Sequence, residues 1–211
     1  NTADTVTDNV IIAIGTNPGS GTLSGTTTVP AVAGVATFGN LGINKIGTGY
    51  TLGATSGILT GATSSAFNIT LGPPARLAIL GTPLTVPALD CSAVRTVELQ
   101  DNGGNPVNAA ADLILDPYTA SPAPAGTAFF SDFFCTTPII PPTRSILGGT
   151  SQTTFYFSAQ NVEPALTLTV PRTGLVSGTQ AAIIGQGVPT DLAFTTAPPT
   201  VEAGFCQPLN L

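Results

Sequence analysis

The sequence has 211 residues, which is room for about two domains of roughly 100 residues each. Charged residues make up only 8% of the chain and hydrophobic residues 42%, the opposite of a disordered composition. The net charge of −6 comes without any basic cluster, which argues against nucleic acid or an anionic membrane surface as a partner. No apolar run approaches the ~18 residues of a membrane span.

Residues 10–14 form the first continuous run of mainly β-branched residues, which suits a strand buried in a two-sheet sandwich. The glycine-rich stretch 15–25 predicts a loop. Threonine and valine then alternate with a period near two, which predicts strands over 26–32 and 35–38.

The segment 47–54, Gly-Thr-Gly-Tyr-Thr-Leu-Gly-Ala, predicts a turn that enters an alternating strand. Tyr50 resembles the tyrosine corner of Greek-key sandwiches, and an ordinary half-buried strand tyrosine is the alternative. Residues 63–71 predict a closing strand, and Gly-Pro-Pro at 72–74 predicts a linker.

A second series of strands follows the linker. Residues 94–99 alternate cleanly, and Gln-Asp-Asn-Gly-Gly-Asn-Pro at 100–106 predicts a strong turn. The apolar run 113–115 matches the run at 10–12 in role. Further strands are predicted at 127–130, 153–157, 166–170 and 178–184.

The chain contains an internal repeat. Residues 77–91 (LAILGTPLTVPALDC) return without a gap as residues 192–206 (LAFTTAPPTVEAGFC), with identical residues at seven of the fifteen positions. Prolines within both copies exclude a helix and predict two short extended pieces. Each copy therefore indicates the opening of an all-β module.

Many short strands separated by turn signals, with no helical period, predict an all-β fold of β-sandwich modules. QDNGGNPV, GTLSGTTTVPAVAGVATF, GTGYTLGATS and FFSDFFCTT together resemble the bacterial immunoglobulin-like repeats of large surface proteins of the invasin/intimin-like kind. The resemblance covers nearly the whole chain. It implies an all-β fold of tandem immunoglobulin-like β-sandwich modules in an extracellular, non-catalytic protein.

The expected organisation has three parts. Residues 1–73 form a module that lacks its first strands, residues 74–187 form a complete module, and residues 188–211 carry the first strands of a further module or strands donated to a neighbouring chain. Leu192, Phe194, Val201 and Leu209 repeat the positions of Leu77, Ile79, Val86 and Val94, which we expect to face a core. Leaving such side chains in water costs ~1.5–3 kcal/mol each, so we expect these four residues to form an assembly strand.

The three cysteines contain no Cys-x-x-Cys pair, which argues against zinc. Cys91 and Cys135 fall in the same module, and we expect them to form a disulfide in an extracellular setting; two free thiols are the alternative. Cys206 is the repeat equivalent of Cys91. It is expected to be unpaired or to pair outside this chain.

The sequence offers few residues that could support catalysis or bind a metal ion. The chain has no histidine, so a Ser-His-Asp or Cys-His arrangement is impossible. The scattered aspartates suit turns better than a glycosidase pair or a calcium loop. We expect no enzyme activity, no metal site and no cofactor.

Two functions remain open from the sequence. The first is a non-catalytic, secreted or cell-surface structural protein, part of a stalk, sheath or filament, whose partners are copies of itself or neighbouring repeats, assembled in its sharper form by strand complementation between chains. The second is an adhesin module that recognises a surface carbohydrate or protein through the loops at 15–25, 117–126 and 136–150.

Overall fold

A computed structural model of the protein describes residues 8–141 and 143–187. Across these residues it contains strands and turns without a helix, so the all-β prediction is confirmed. Eight strands precede the linker: β1 (Asn9–Ile14), β2 (Leu23–Ser24), β3 (Thr28–Pro30), β4 (Gly42–Ile43), β5 (Gly47–Tyr50), β6 (Leu52–Thr55), β7 (Ala62–Thr63) and β8 (Phe67–Ile69).

Ten strands follow the linker: β9 (Arg76–Leu80), β10 (Leu84–Pro87), β11 (Arg95–Gln100), β12 (Leu113–Ile114), β13 (Thr119–Ser121), β14 (Ala128–Phe130), β15 (Ser145–Ile146), β16 (Gln152–Ser158), β17 (Glu163–Val170) and β18 (Gly178–Gly185). Every strand pair lies within one of the two groups. We call residues 8–71 module one and residues 76–187 module two.

Module two has the strand order of an immunoglobulin sandwich. One sheet runs β14-β16-β11-β9 and the other β10-β18-β17-β13. In immunoglobulin lettering the first sheet has the order D-E-B-A and the second has the order A′-G-F-C. Strand β10 corresponds to A′, because it pairs in parallel with the last strand, β18. The second strand of module two, β10, therefore lies beside the last strand, β18, and runs in the same direction.

Among the described residues, the hydrophobic core cluster lies in module two. Inward-facing side chains of both sheets are buried there, including Val97, Phe155, Phe157, Leu168 and Ile184, each fully inaccessible to solvent. The alternation along β18, where every second residue is buried, is what a strand between a core and solvent requires.

Module one keeps only part of this arrangement. Its main sheet runs β3-β1-β6-β7, and the ladder of β5 with β8 continues the same pairing. The opposite sheet is reduced, within the described residues, to the two-residue strands β2 and β4. Only Ala31 and Tyr50 are buried hydrophobic residues in this module.

The sheet registers give a residue-by-residue match between the modules. Gly53 pairs with Thr63, and Thr169 pairs with Thr179, 116 positions later in both strands. The β5–β8 ladder shifts register between Thr48 and Tyr50. The β17–β18 ladder shifts register at the equivalent place, between Glu163 and Leu166. Strands β5 and β6 are therefore the counterpart of β17.

The structure corrects two sequence predictions. The run at 10–12 does not match 113–115: Ala13 pairs with Gly53 as Thr119 pairs with Thr169, which aligns Ile12 with Tyr118. No strand forms over 35–38, because a two-residue turn with positive φ at Ala33 and Gly34 ends the segment in a single bridge between Val32 and Val35.

Candidate functional site

Cys91 and Cys135 are joined by a disulfide with an S–S distance of 2.05 Å, which confirms the predicted pairing. Asp132 organises the loop that carries Cys135. Its carboxylate accepts hydrogen bonds from the backbone N–H groups of Phe134, Thr136 and Thr137 and from the Thr136 hydroxyl. Desolvation raises the pKa of Asp132, but these hydrogen bonds outweigh it and lower the value to about 2. The aspartate is thus a turn cap, as its sequence context indicates.

The two modules meet at the turn 100–106 of module two. Lys45 Nζ donates a hydrogen bond of 2.9 Å to the carbonyl oxygen of Gly104. Asn105 Nδ2 donates to the carbonyl oxygen of Asn44 at 2.9 Å, and Asn105 Oδ1 accepts from the backbone N–H of Ile46 at 3.4 Å. We call this contact between residues 44–46 and the turn the inter-module joint.

Asp101 holds the turn and the linker together. Its carboxylate accepts hydrogen bonds from the Gly103 and Asn105 backbone N–H groups, from Asn105 Nδ2 and from the linker N–H of Gly72. Desolvation raises the pKa of this buried carboxyl, and the hydrogen bonds from Asn105, Gly72 and Gly103 overcome that effect, so the pKa lies below its usual value. The anion is therefore the form that fits the joint.

A glycine is required where the turn 100–106 approaches Asn44 of module one. A Cβ atom on Gly103 would overlap the carbonyl oxygen of Asn44 in module one. No side chain larger than hydrogen fits there without moving one module against the other.

Tyr50 supports the joint from within module one. Its ring is fully buried, and its hydroxyl donates a hydrogen bond of 2.9 Å to the Lys45 carbonyl oxygen five residues upstream. This is the hydrogen bond of a tyrosine corner, so the resemblance noted in the sequence is confirmed. Gly19 and Gly47 leave room for the ring and hydroxyl, which gives part of the loop 15–25 a packing role.

Module one presents an open side. Ile12, Leu52 and Ala54 are only partly buried. Their counterparts Tyr118, Leu168 and Val170 in module two are 2%, 0% and 0% exposed. Within the described residues, the same strand positions are thus less buried in module one than in module two.

A cleft of about 440 Å³ lies beside β13 and β14 of module two and includes parts of the other two predicted loops. It is mainly apolar, and Ile140 on its rim is 84% exposed. Phe133 and Phe134 of the disulfide loop stack edge to face and are also exposed. The cleft could admit an apolar group, but the few polar residues among those that line it do not define a ligand class.

All four predicted assembly residues, Leu192, Phe194, Val201 and Leu209, lie outside the described residues, as does Cys206. Their module two counterparts can be checked. Leu77, Ile79 and Val86 are buried as expected. The expectation for Val94 is wrong: it is 45% exposed because it precedes β11 instead of lying within it, so Leu209 has no core position to imitate.

The described residues contain no group of three or more His, Cys, Asp or Glu side chains placed to hold a metal ion. They also contain no helix long and apolar enough to cross a membrane. The joint itself was missed at the sequence level. The turn at 100–106 was recognised, but nothing in its sequence pointed to residues 44–46 as its partner.

No protein-family model and no curated protein matches this chain. Among solved structures, a β-glycosidase from Bacteroides vulgatus matches 84% of the chain at 15% identity and a TM-score of 0.41, over 21% of its own length. A β-glucuronidase from glycoside hydrolase family 2 matches 95% at 16% identity and a TM-score of 0.42, over 20% of its length.

Domains 4 and 5 of the S-layer protein SbsC match 87% of the chain at 17% identity and a TM-score of 0.30, over 72% of their length. The chain spans about a fifth of the length of the glycosidases. At these identities and TM-scores the similarity does not indicate a function. The class of protein defined so far is an all-β chain of immunoglobulin-like sandwich modules.

Proposed function

We propose that this chain is a segment of a non-catalytic, extracellular structural protein of the invasin/intimin-like kind, in which tandem immunoglobulin-like modules form a stalk, sheath or filament. The disulfide between Cys91 and Cys135 supports an oxidising compartment. The Thr-rich sequence with few charges suits neutral, hydroxyl-covered outer faces. In the sharper form of the proposal, copies assemble by exchanging strands.

The observation that carries the proposal is the parallel pairing of β10 with β18. Arg76 lies beside Val176 at one end of module two, and Pro87 lies beside Gly185 at the other. Tension that enters at Arg76 and leaves at Gly185 slides the two strands past each other. All their hydrogen bonds are then loaded at once, whereas a hairpin pulled from one end opens one bond at a time.

The inter-module joint supports the same role. Its hydrogen bonds tie the modules through side chains and backbone as well as through the linker. A binding module on a flexible tether has no need of such a contact. A load-carrying array does, because a fixed angle at each joint keeps a long chain of modules straight.

The proposal is tested by immunogold electron microscopy of intact source cells with an antibody against module two. We expect gold on the outer surface or on appendages, without permeabilisation. Label that appears only after the cells are permeabilised would contradict an extracellular structural role.

A further inference from the structure

We propose that the inter-module joint holds a self-modification site in check at Asn102 and Gly103. When the joint opens, the side chain of Asn102 reacts with the backbone nitrogen of Gly103, and the isoaspartate that forms keeps the joint open. This property goes beyond a structural role, because a joint that has reacted once does not close again.

The pair Asn-Gly occurs once in the 211 residues, at positions 102–103, and lies in the turn that forms the joint. A glycine has no Cβ, so its backbone nitrogen is the least hindered one that can follow an asparagine. Asn102 is exposed, whereas Asp101 and Asn105 in the same turn are buried. Water therefore reaches the one asparagine of the chain that precedes a glycine.

The reaction needs only water. The Gly103 nitrogen gives its proton to solvent and forms a bond to Asn102 Cγ, while the bond from Cγ to Nδ2 breaks and ammonia leaves. Water then opens the resulting five-membered succinimide. Its addition at Cγ gives aspartate, and its addition at the backbone carbonyl carbon gives isoaspartate, in which the main chain runs through Cβ and Cγ.

The closed turn holds the Gly103 nitrogen away from this reaction. The Gly104 N–H donates to the Asp101 carbonyl oxygen at 3.1 Å, and neither Asn102 nor Gly103 has a positive φ, which defines a type I turn. The succinimide closes only when the Gly103 nitrogen eclipses Asn102 Cβ, and a type I turn keeps it about a quarter turn from that position. Rotation to the reactive position also removes the Gly103 N–H from Asp101 Oδ1, to which it donates at 2.9 Å.

The contact with module one reinforces this restraint. Asn105 Nδ2 donates both to the Asp101 carboxylate and to the Asn44 carbonyl oxygen, at 2.9 Å each. Gly103 lies so close to the same carbonyl that a Cβ would overlap it. The peptide between residues 102 and 103 therefore cannot rotate freely until module one has moved away.

Isoaspartate prevents the joint from closing again. It adds one carbon atom to the main chain inside a turn whose ends are joined by the hydrogen bond from the Asp101 N–H to the Asn105 carbonyl oxygen. The longer turn displaces Gly103, which has no spare room beside the Asn44 carbonyl. The groups that bridge the modules are then out of register.

The test compares the native full chain with Asn105→Ala, which removes two hydrogen bonds across the joint and leaves Asn102 and Gly103 in place. Both proteins are incubated at mildly alkaline pH, and isoaspartate at position 102 is measured by electron-transfer fragmentation of the peptides. We expect isoaspartate to form at least about fivefold faster in the variant. Asn161, which is exposed and precedes Val162, is the internal reference and should react equally in both proteins.

Lys45→Ala is a second variant, because it removes a hydrogen bond across the joint and none within the turn itself. It should also accelerate the reaction, and formation of the Cys91–Cys135 bond verifies that each variant is folded. Rates equal to the native rate in both variants overturn the control by the joint. A rate at Asn102 no higher than that at Asn161 in the urea-unfolded chain overturns the modification site.

The effect of the product is measured on the isoaspartate form, purified by ion exchange on its additional charge. We expect the amides of Ile46 and Gly72 to exchange hydrogen at least about fivefold faster than in the native chain. Asn102→Asp is the matched control, since it adds the same charge without the additional carbon atom and should exchange as the native chain does. Equal exchange in the isoaspartate form and this control overturns the claim that the product keeps the joint open.

Discussion

Gly103, Asp101 and Asn105 decide at the scale of single residues how the modules meet. Asp101 fixes the turn, Asn105 reaches across to the Asn44 carbonyl, and Gly103 leaves that carbonyl room. The three residues act together because Asp101 binds the Asn105 backbone, and Asn105 in turn binds the carbonyl oxygen that Gly103 leaves free to approach. A substitution of any one of them should therefore weaken the hydrogen bonds made by residues 44–46 of module one.

Gly103→Ala should open the joint. The added methyl overlaps the Asn44 carbonyl oxygen, and relieving the overlap separates the groups that Asn105 bridges, at a cost of about 1–3 kcal/mol. We expect the amides of Ile46 and Gly72 to exchange hydrogen at least about fivefold faster, since 1 kcal/mol is a factor of about five. Hydrogen exchange with mass spectrometry measures this.

Gly39→Ala is the matched control, because a Cβ at Gly39 meets no atom within 4 Å. Equal exchange in the Gly103→Ala variant and the native chain would mean that the joint does not hold the modules in solution.

The disulfide acts at the scale of the strand and loop. It closes a separation of 44 residues between the segment after β10 and the loop after β14. In the chain-entropy view such a loop destabilises the unfolded state by about 4 kcal/mol. Module one has no cysteine and should not sense the bond.

Cys91→Ser should lower the melting temperature of module two by roughly 15 °C and leave that of module one unchanged. Differential scanning calorimetry of the full chain resolves this if the modules melt separately. Cys206→Ser is the control, because it makes the same substitution and leaves the loop closed. A uniform shift of both transitions would show instead that the modules unfold as one unit.

Local patterns predicted the strand-rich fold, the tyrosine corner and the disulfide, because each depends on periodicity, a short motif or a shared module. The alignment of Ile12 with Tyr118 was not predictable, since register is set by pairing across the sheet. The exposure of Val94 was missed because one residue of strand boundary decides it. The partner of the turn at 100–106 depends on contacts about 60 residues apart, which no local pattern encodes.

At the scale of the whole molecule, module two has the parallel pair β10 and β18, and no strand among the described residues pairs with the corresponding edge of module one. The two modules should therefore differ in mechanical strength. Forced unfolding depends on the barrier to unfolding, and a barrier that requires several hydrogen bonds to break together is high.

Single-molecule pulling of the full chain through its ends tests the structural role most directly. The account predicts that module two ruptures at a higher force than module one. It also predicts that reducing the disulfide lengthens the module two extension by about 150 Å, the reach of the 44 residues that the bond encloses. Rupture of module two at a force equal to or below that of module one would contradict a load-carrying role.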